Sequence, residues 1–191
     1  VNLDVKALEI AVAAYLSQEP VLMAEIIEGK DLHEDNRVAF GLPTRLIAKV
    51  LNFRILYGGS EYSFAQDPDF TPISSSKEYW AKAILAYYAK YKGIAKWHTS
   101  LVQQATTTGR IVSPTGRHFC YEPKQGAYGP DWPTTTIKNY IVQGTGADLV
   151  AIARVTLANR MKQAGIRSKL CMTVHDSIVI DCLDDEWEQI A

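Results

Sequence analysis

The chain has 191 residues, 47% of them hydrophobic, and a formal net charge of −1, which is enough apolar material for one globular core or two small lobes sharing a cleft. This balance excludes disordered and collagen-like classes. No stretch approaches the roughly 18 consecutive apolar residues of a membrane span, and Val1-Asn2-Leu3-Asp4 lacks the pattern of a signal peptide, so a soluble, cytoplasmic protein with no membrane partner is expected.

The chain opens on a short strand-like run leading to Asp4. Residues 7–16 place Leu8, Val12, Tyr15 and Leu16 at helical spacing, and Glu19-Pro20 breaks the pattern before a second helix over 21–28. Gly29-Lys30-Asp31 reads as a turn, with Asp31 placed to cap a short helix running to Phe40. Thr44 caps the next predicted helix, 45–57, which Gly58-Gly59 ends. A loop rich in Asp, Pro and Ser spans 66–76, followed by helices over 77–91 and 93–107 divided at Gly93. From Arg110 the period changes to a hairpin, residues 110–121, turning on Pro114-Thr115-Gly116. Prolines and glycines predict loop over 122–133. Helical spacing returns over 134–164 with a break at Gly144 and Gly146. The runs 169–174 and 177–182 flank His175-Asp176, with Met172, Val174, Ile178 and Ile180 as the apolar positions that anchor the hairpin. The order predicts an α+β fold with sheet pieces at the two ends of the chain. Both ends look cut in mid-element, which suggests a fragment.

Cys120, Cys171 and Cys182 fit neither a disulfide framework nor a zinc site and read as reduced, partly buried thiols. The near-neutral charge argues weakly against nucleic acid, but basic residues concentrate between 37 and 124 while acids cluster after Asp181.

Arg45, Lys49, Phe53 and Tyr57 recur every four residues on the predicted helix 45–57. Each lies roughly 40° round from the last, so all four share one face. Two cations followed by two aromatics suit a polyphosphate at one end and a sugar or base at the other. Asp176 sits at a hairpin tip and Asp4 at a strand end. Alone, the first reads as a turn former and the second as a helix cap; they gain chemical meaning only if the fold unites them.

The series Arg45-x3-Lys49-x3-Phe53-x3-Tyr57-Gly58 resembles motif B of the family A DNA polymerases, bacterial and phage-type. Asp4-Val5-Lys6-Ala7-Leu8-Glu9 lies where motif A belongs, and Val174-His175-Asp176 where motif C belongs, in the right order. Softer matches, including Glu28-Gly29-Lys30-Asp31-Leu32-His33 and Gln143-Gly144-Thr145-Gly146-Ala147-Asp148, extend the resemblance over nearly the whole chain. It implies a right-hand polymerase incomplete at both ends: palm with motif A over 1–28, mostly helical fingers over 29–108, and a return to the antiparallel palm over 109–191 with the motif C hairpin at 169–182.

By the same resemblance, Asp4 and Asp176 hold two Mg2+ ions, and Arg45, Lys49 and His33 contact an incoming dNTP. Lys49 also protonates the departing pyrophosphate, Phe53 packs on the nucleotide, and Tyr57 borders the templating pair. Glu9 is a gate against the ribose 2′ hydroxyl, while Asn139, Gln143 and His175 contact primer–template DNA. The implied activity is template-directed DNA synthesis in replication or repair, with thumb and remaining palm segments as partners, in a bacterial or phage-infected cell. The chain departs from the family pattern at Val5 and Lys6, where Tyr-Ser is usual, and at Ala11, Arg54, Thr135 and Ser177, where Arg, Gly, Arg and Glu are usual. These departures bear on fidelity, primer grip and rate. His175-Asp176-Ser177 also resembles motif C of phage-type single-subunit RNA polymerases, and a non-catalytic DNA-binding fragment is the third alternative.

Overall fold

The structure, a computed structural model, describes residues 1–190. Three strands form its main sheet: β1 (Asn2–Asp4), β6 (Lys169–Val174) and β7 (Ser177–Asp181), antiparallel throughout and ordered β1-β7-β6. The first strand therefore pairs with the last. Asp4 stands opposite Ser177 and Leu3 opposite Ile178. Val5 donates to the Asp176 carbonyl at 3.2 Å, and the Val1 ammonium donates to the Ile180 carbonyl at 2.7 Å. Sequence-distant ends are thus joined in one sheet, and the fold is α+β as expected.

Helices α1 (Leu8–Ser17) and α2 (Pro20–Ile27) follow the first strand. The loop between them is held by Glu19, only 2% exposed, whose carboxylate accepts from Val21 N at 3.0 Å and from Gly93 N. Helix α3 (Leu32–Ala39) is capped by Asp31, and α4 (Arg45–Leu56) by Thr44, whose hydroxyl accepts from Ile47 N at 3.2 Å. Each satisfies amide donors that a helix start leaves open.

A short helix, α5 (Glu61–Gln66), follows Gly59. It has no counterpart in the sequence reading: at 6 residues it is too short to show a helical period, and a reciprocal bond between Ser60 and Ser63 caps it. Phe64, Phe70 and Trp80 pack ring against ring beneath it, all fully buried. Helices α6 (Lys77–Lys90) and α7 (Lys92–Thr108) divide at Tyr91, not at Gly93. Gly93 sits in the first turn of α7 for a steric reason: a Cβ there would lie 2.7 Å from Glu19 Oε2 and 3.1 Å from Glu19 Cα.

The expected hairpin forms from β2 (Arg110–Val112) and β3 (His118–Cys120). The supposed loop after it contains a further hairpin, β4 (Lys124–Gly126) with β5 (Gly129–Asp131), which turns at Ala127-Tyr128 and leaves the turn through Gly129 at φ 126°. Helix α8 (Thr134–Gln163) then runs 30 residues without the break expected at its glycines. Those glycines admit neighbours instead. A Cβ on Gly144 would collide with Phe119 Cζ and come within 2.9 Å of Cε1, and one on Gly146 would stand 3.3 Å from Leu8 Cδ2. By length and composition alone α8 is apolar enough to cross a membrane, although it holds no run of consecutive apolar residues of that length. In this fold it packs against α1 and α7.

In the final hairpin, Ile178 and Ile180 are buried, but Met172 and Val174 are exposed. A register irregularity between Leu170 and Met172 breaks the alternation expected of β6. The cysteines also differ from expectation: Cys120 and Cys171 are exposed, and Cys182 is half-buried. A last turn of helix, α9 (Trp187–Ile190), closes the described chain; Ala191 lies outside the described residues.

Candidate active site

Asp4 and Asp176 meet because β1 adds to the edge of β7. Asp4 is not a helix cap: α1 is preceded by Ala7 in left-handed conformation with no side-chain cap. The turn before Asp176 is set by His175, also left-handed at φ 53°, and by Ser177, whose buried hydroxyl donates to the Val174 carbonyl at 3.0 Å. Ser177 thus closes the turn. Neither Asp4 nor Asp176 forms an ion pair among the described residues.

Both acids open onto a cavity of about 360 Å³. Glu9 from α1, His33 from α3, and Arg45, Lys49 and Phe53 from α4 line the same cavity. Three segments distant in sequence thus bring an acidic pair and a cationic helix face to one cavity. Tyr57 lies just past α4, its ring 6.2 Å from that of Phe53. Burial, and secondarily the Glu9 charge, pushes its phenol up to about 12, with Gln143 acting against the shift. Tyr57 thus lies within electrostatic reach of Glu9 on α1 and of the exposed Gln143 on α8. Asn139, one helical turn earlier, has a buried Oδ1 without a hydrogen-bond partner. His175 is exposed at the hairpin tip.

Within the cavity Arg45 is engaged: its Nε donates to Asp31 Oδ2 at 2.7 Å. That bond, more than any other effect, holds the Asp31 carboxyl down at about 2. Lys30 pairs with Glu28 at 2.7 Å. Lys49 and Lys6, which also line the cavity, have no carboxylate at ion-pair distance among the described residues. Arg54 points elsewhere, pairing with Asp67 at 2.6 Å and lying over the Phe70 ring at 4.9 Å.

His33 is oriented by a buried polar chain. Lys90 Nζ donates to Asn36 Oδ1 at 2.7 Å, and Asn36 Nδ2 donates to Asn52 Oδ1 at 3.1 Å. Asn52 Nδ2 then meets His33 Nδ1 at 3.2 Å. With the Asn52 amide oriented this way, Nδ1 must accept, so Nε2 carries the proton. Burial first, and the Arg45 charge second, lower the His33 pKa. Asn36 and Asn52, together with Lys6, Lys30 and Asp31, went unnoticed as site residues in the sequence. The available signal was Asn52 itself, an amide beside Leu51 on the buried side of α4.

A family model described as DNA polymerase family A matches residues 1–191. The chain belongs to DNA polymerase family A. DNA polymerase I of Aquifex aeolicus is 26% identical over 198 residues, covering 98% of this chain and 33% of that protein. The thermostable DNA polymerase I of Thermus aquaticus is 27% identical over 202 residues, 100% of this chain and 23% of its own length. The DNA polymerase of Bacillus phage SP01 is 25% identical over 201 residues, 100% and 22%. The family A chain thus spans a third or less of these relatives. Its fold matches the polymerase domain of Pol1 from M. smegmatis, solved with DNA primer–template and dNTP, with a TM-score of 0.87 at 24% identity over 99% of this chain and 34% of that one.

Proposed function

We propose that the protein adds dNTPs to a primer 3′ end under the direction of a DNA template, by two-metal nucleotidyl transfer in replication or repair. The observation that carries this reading is the convergence of Asp4 and Asp176 with Arg45, Lys49, His33 and Phe53 on one cavity. Residues 1–28 and 109–191 then correspond to palm, and 29–108 to fingers.

The donor set fits Mg2+. Two unpaired carboxylates supply hard oxygens while leaving positions for water and substrate phosphates; no third His, Cys, Asp or Glu side chain joins them in a metal-suited group among the described residues. When bound by Asp4 and Asp176, such ions supply Lewis acidity for the primer hydroxyl and the leaving pyrophosphate. The chain's own residues do the rest. Arg45 and Lys49 bind the triphosphate, and His33 donates its Nε2 proton to a phosphate oxygen. Lys49 gives a proton to the departing pyrophosphate. Phe53 stacks on the nucleotide, Tyr57 borders the templating pair, and Glu9 excludes a 2′ hydroxyl. Asn139, Gln143 and His175 hold the duplex near the primer end.

Primer extension with Mg2+ tests the reading. Extension should require dNTPs, and Asp176→Asn should reduce it by at least about a hundredfold to a thousandfold while leaving duplex affinity nearly unchanged. A preference for rNTPs would favour an RNA polymerase, and unchanged extension by the variant would refute the metal assignment. Duplex binding without extension by the wild-type protein would leave a DNA-binding role alone.

A further inference from the structure

Lys90 and His33 belong to different openings. His33 lines the cavity of about 360 Å³ around Asp4 and Asp176, whereas Lys90, at the end of α6, lines an opening of about 810 Å³ between the α1–α2 loop and the start of α7. The two openings share no lining residue. A bonded path nevertheless joins them through two buried amides, Asn36 at 2% exposed and Asn52 at 6%.

Lys90 is pinned at the head of that path. Its ammonium pairs with Glu25 at 2.9 Å, lies 4.9 Å from the centre of the Tyr91 ring, and donates to Asn36 Oδ1 at 2.7 Å. The Tyr91 hydroxyl stands 2.8 Å from Glu25 Oε2 and 3.3 Å from Asn36 Oδ1. Its single proton goes to the nearer, charged oxygen, which leaves Lys90 as the donor to Asn36. An amide has one accepting end and one donating end. Turning Asn36 over would set its NH2 against the ammonium, donor against donor, and a buried polar group so opposed costs more than one ordinary hydrogen bond contributes.

The sense of the first amide propagates to the ring. With Oδ1 of Asn36 held by Lys90, its Nδ2 faces Asn52 Oδ1, and Asn52 Nδ2 faces His33 Nδ1. Were Asn36 reversed, Asn52 would have to reverse with it, and its Oδ1 would call for a proton on Nδ1. Burial, and then the Arg45 charge, lower the His33 pKa, so near neutral pH the ring carries one proton and Nε2 would be left bare. A bare nitrogen repels a phosphate oxygen, whereas a protonated one donates to it. We propose that Lys90 is a positioning residue of the nucleotide site: from outside the cavity it fixes the proton on His33 Nε2, and so makes His33 a hydrogen-bond donor to the triphosphate. The inference rests on the reading of the chain as a template-directed polymerase.

The test is NMR of the imidazole nitrogens in isotopically labelled protein near neutral pH, with the His33 signals identified by their loss in His33→Gln. The wild type should show the proton on Nε2. Lys90→Met, which keeps the stem and removes the donor, should give a mixture of the two neutral forms and raise the KM for dNTP about threefold to tenfold with kcat little changed, and Lys90→Arg should restore both. Glu25→Lys combined with Lys90→Glu keeps an ion pair, leaves no buried charge alone and sets an acceptor against Asn36; it should move the proton to Nδ1. That pair of substitutions decides the matter if Lys90→Met fails to fold. A wild-type ring protonated on Nδ1, or an Nε2 proton that survives the exchanged pair, overturns the proposal, as does a raised KM in Lys90→Met with the tautomer unchanged, which is the mark of a merely structural lysine. The tautomer is read without catalysis: a Lys90-dependent proton position in a protein that fails to extend a primer would defeat the polymerase reading and spare the relay, and extension with a tautomer indifferent to Lys90 would defeat the relay alone.

Discussion

Asp31 holds Arg45 through the guanidinium Nε alone, at 2.7 Å, while its other carboxylate oxygen accepts from the backbone of His33 and Glu34. One side chain thus caps α3 and aims the first cation of α4, leaving both terminal guanidinium nitrogens of Arg45 available to phosphate. Asp31→Asn preserves an acceptor for the cap and removes the charge that orients Arg45. The variant should raise the KM for dNTP about threefold to tenfold, roughly 1 kcal/mol, with a smaller effect on kcat. Steady-state primer extension checks it, and an unchanged KM would count against the orienting role. Because the Asp31 pKa is lowered to about 2, the pair persists above the ordinary carboxylate range and is lost only as pH falls from that range toward 2. Nucleotide affinity should therefore show no break from this residue between about pH 5 and 8.

In the proposed reading Glu9 faces the sugar of the nucleotide, and its charge helps keep the Tyr57 phenol protonated. Shortening Glu9 opens that space. Glu9→Ala should lower the ratio of dNTP to rNTP incorporation by about tenfold to a hundredfold, equivalent to 1–3 kcal/mol of lost discrimination. Competition between dNTP and rNTP in single-nucleotide insertion measures this ratio, and an unaltered ratio would remove Glu9 as the gate.

His98 is buried, and burial more than the nearby Lys138 charge lowers its pKa to about 3. The folded state therefore binds fewer protons there than the unfolded chain does. Stability from this group is fully present above the unfolded value near 6.5 and is lost as pH falls from there toward 3. Urea unfolding midpoints should decline through this window by up to roughly 3–5 kcal/mol in free energy. His98→Met, which cannot titrate, should flatten the decline; an unchanged pH profile would assign the acid sensitivity elsewhere.

Gly144 is where the Phe119 ring meets α8. Gly144→Ala raises helix propensity but drives a methyl into that ring, and overpacking should win, with a net loss of about 1–2 kcal/mol against a propensity gain near 1 kcal/mol. Adding Phe119→Leu should recover part of the loss, since it removes the colliding ring edge. Chemical denaturation of the single and double variants checks both statements; a stabilised Gly144→Ala would show that the β2–β3 hairpin yields freely.

Sequence alone determined the helix that carries Arg45, Lys49 and Phe53 and leads into Tyr57, its Thr44 cap and its glycine stop, and the hairpin bearing Asp176. These rest on local rules: a four-residue period, hydroxyl caps, and alternation around a turn. Local rules failed where a residue answers to a distant partner. Gly93, Gly144 and Gly146 read as breaks but sit inside helices, because Glu19, Phe119 and Leu8 occupy the space a side chain would need. Met172 and Val174 read as anchors but face outward past an irregular register. The tertiary structure alone decided that Asp4 and Asp176 share a cavity, that Asp31 engages Arg45, and that Asn36 and Asn52 set the proton of His33. Each relation depends on strand pairing or helix packing between segments far apart in the chain, and no periodicity within a segment encodes which distant group it will meet.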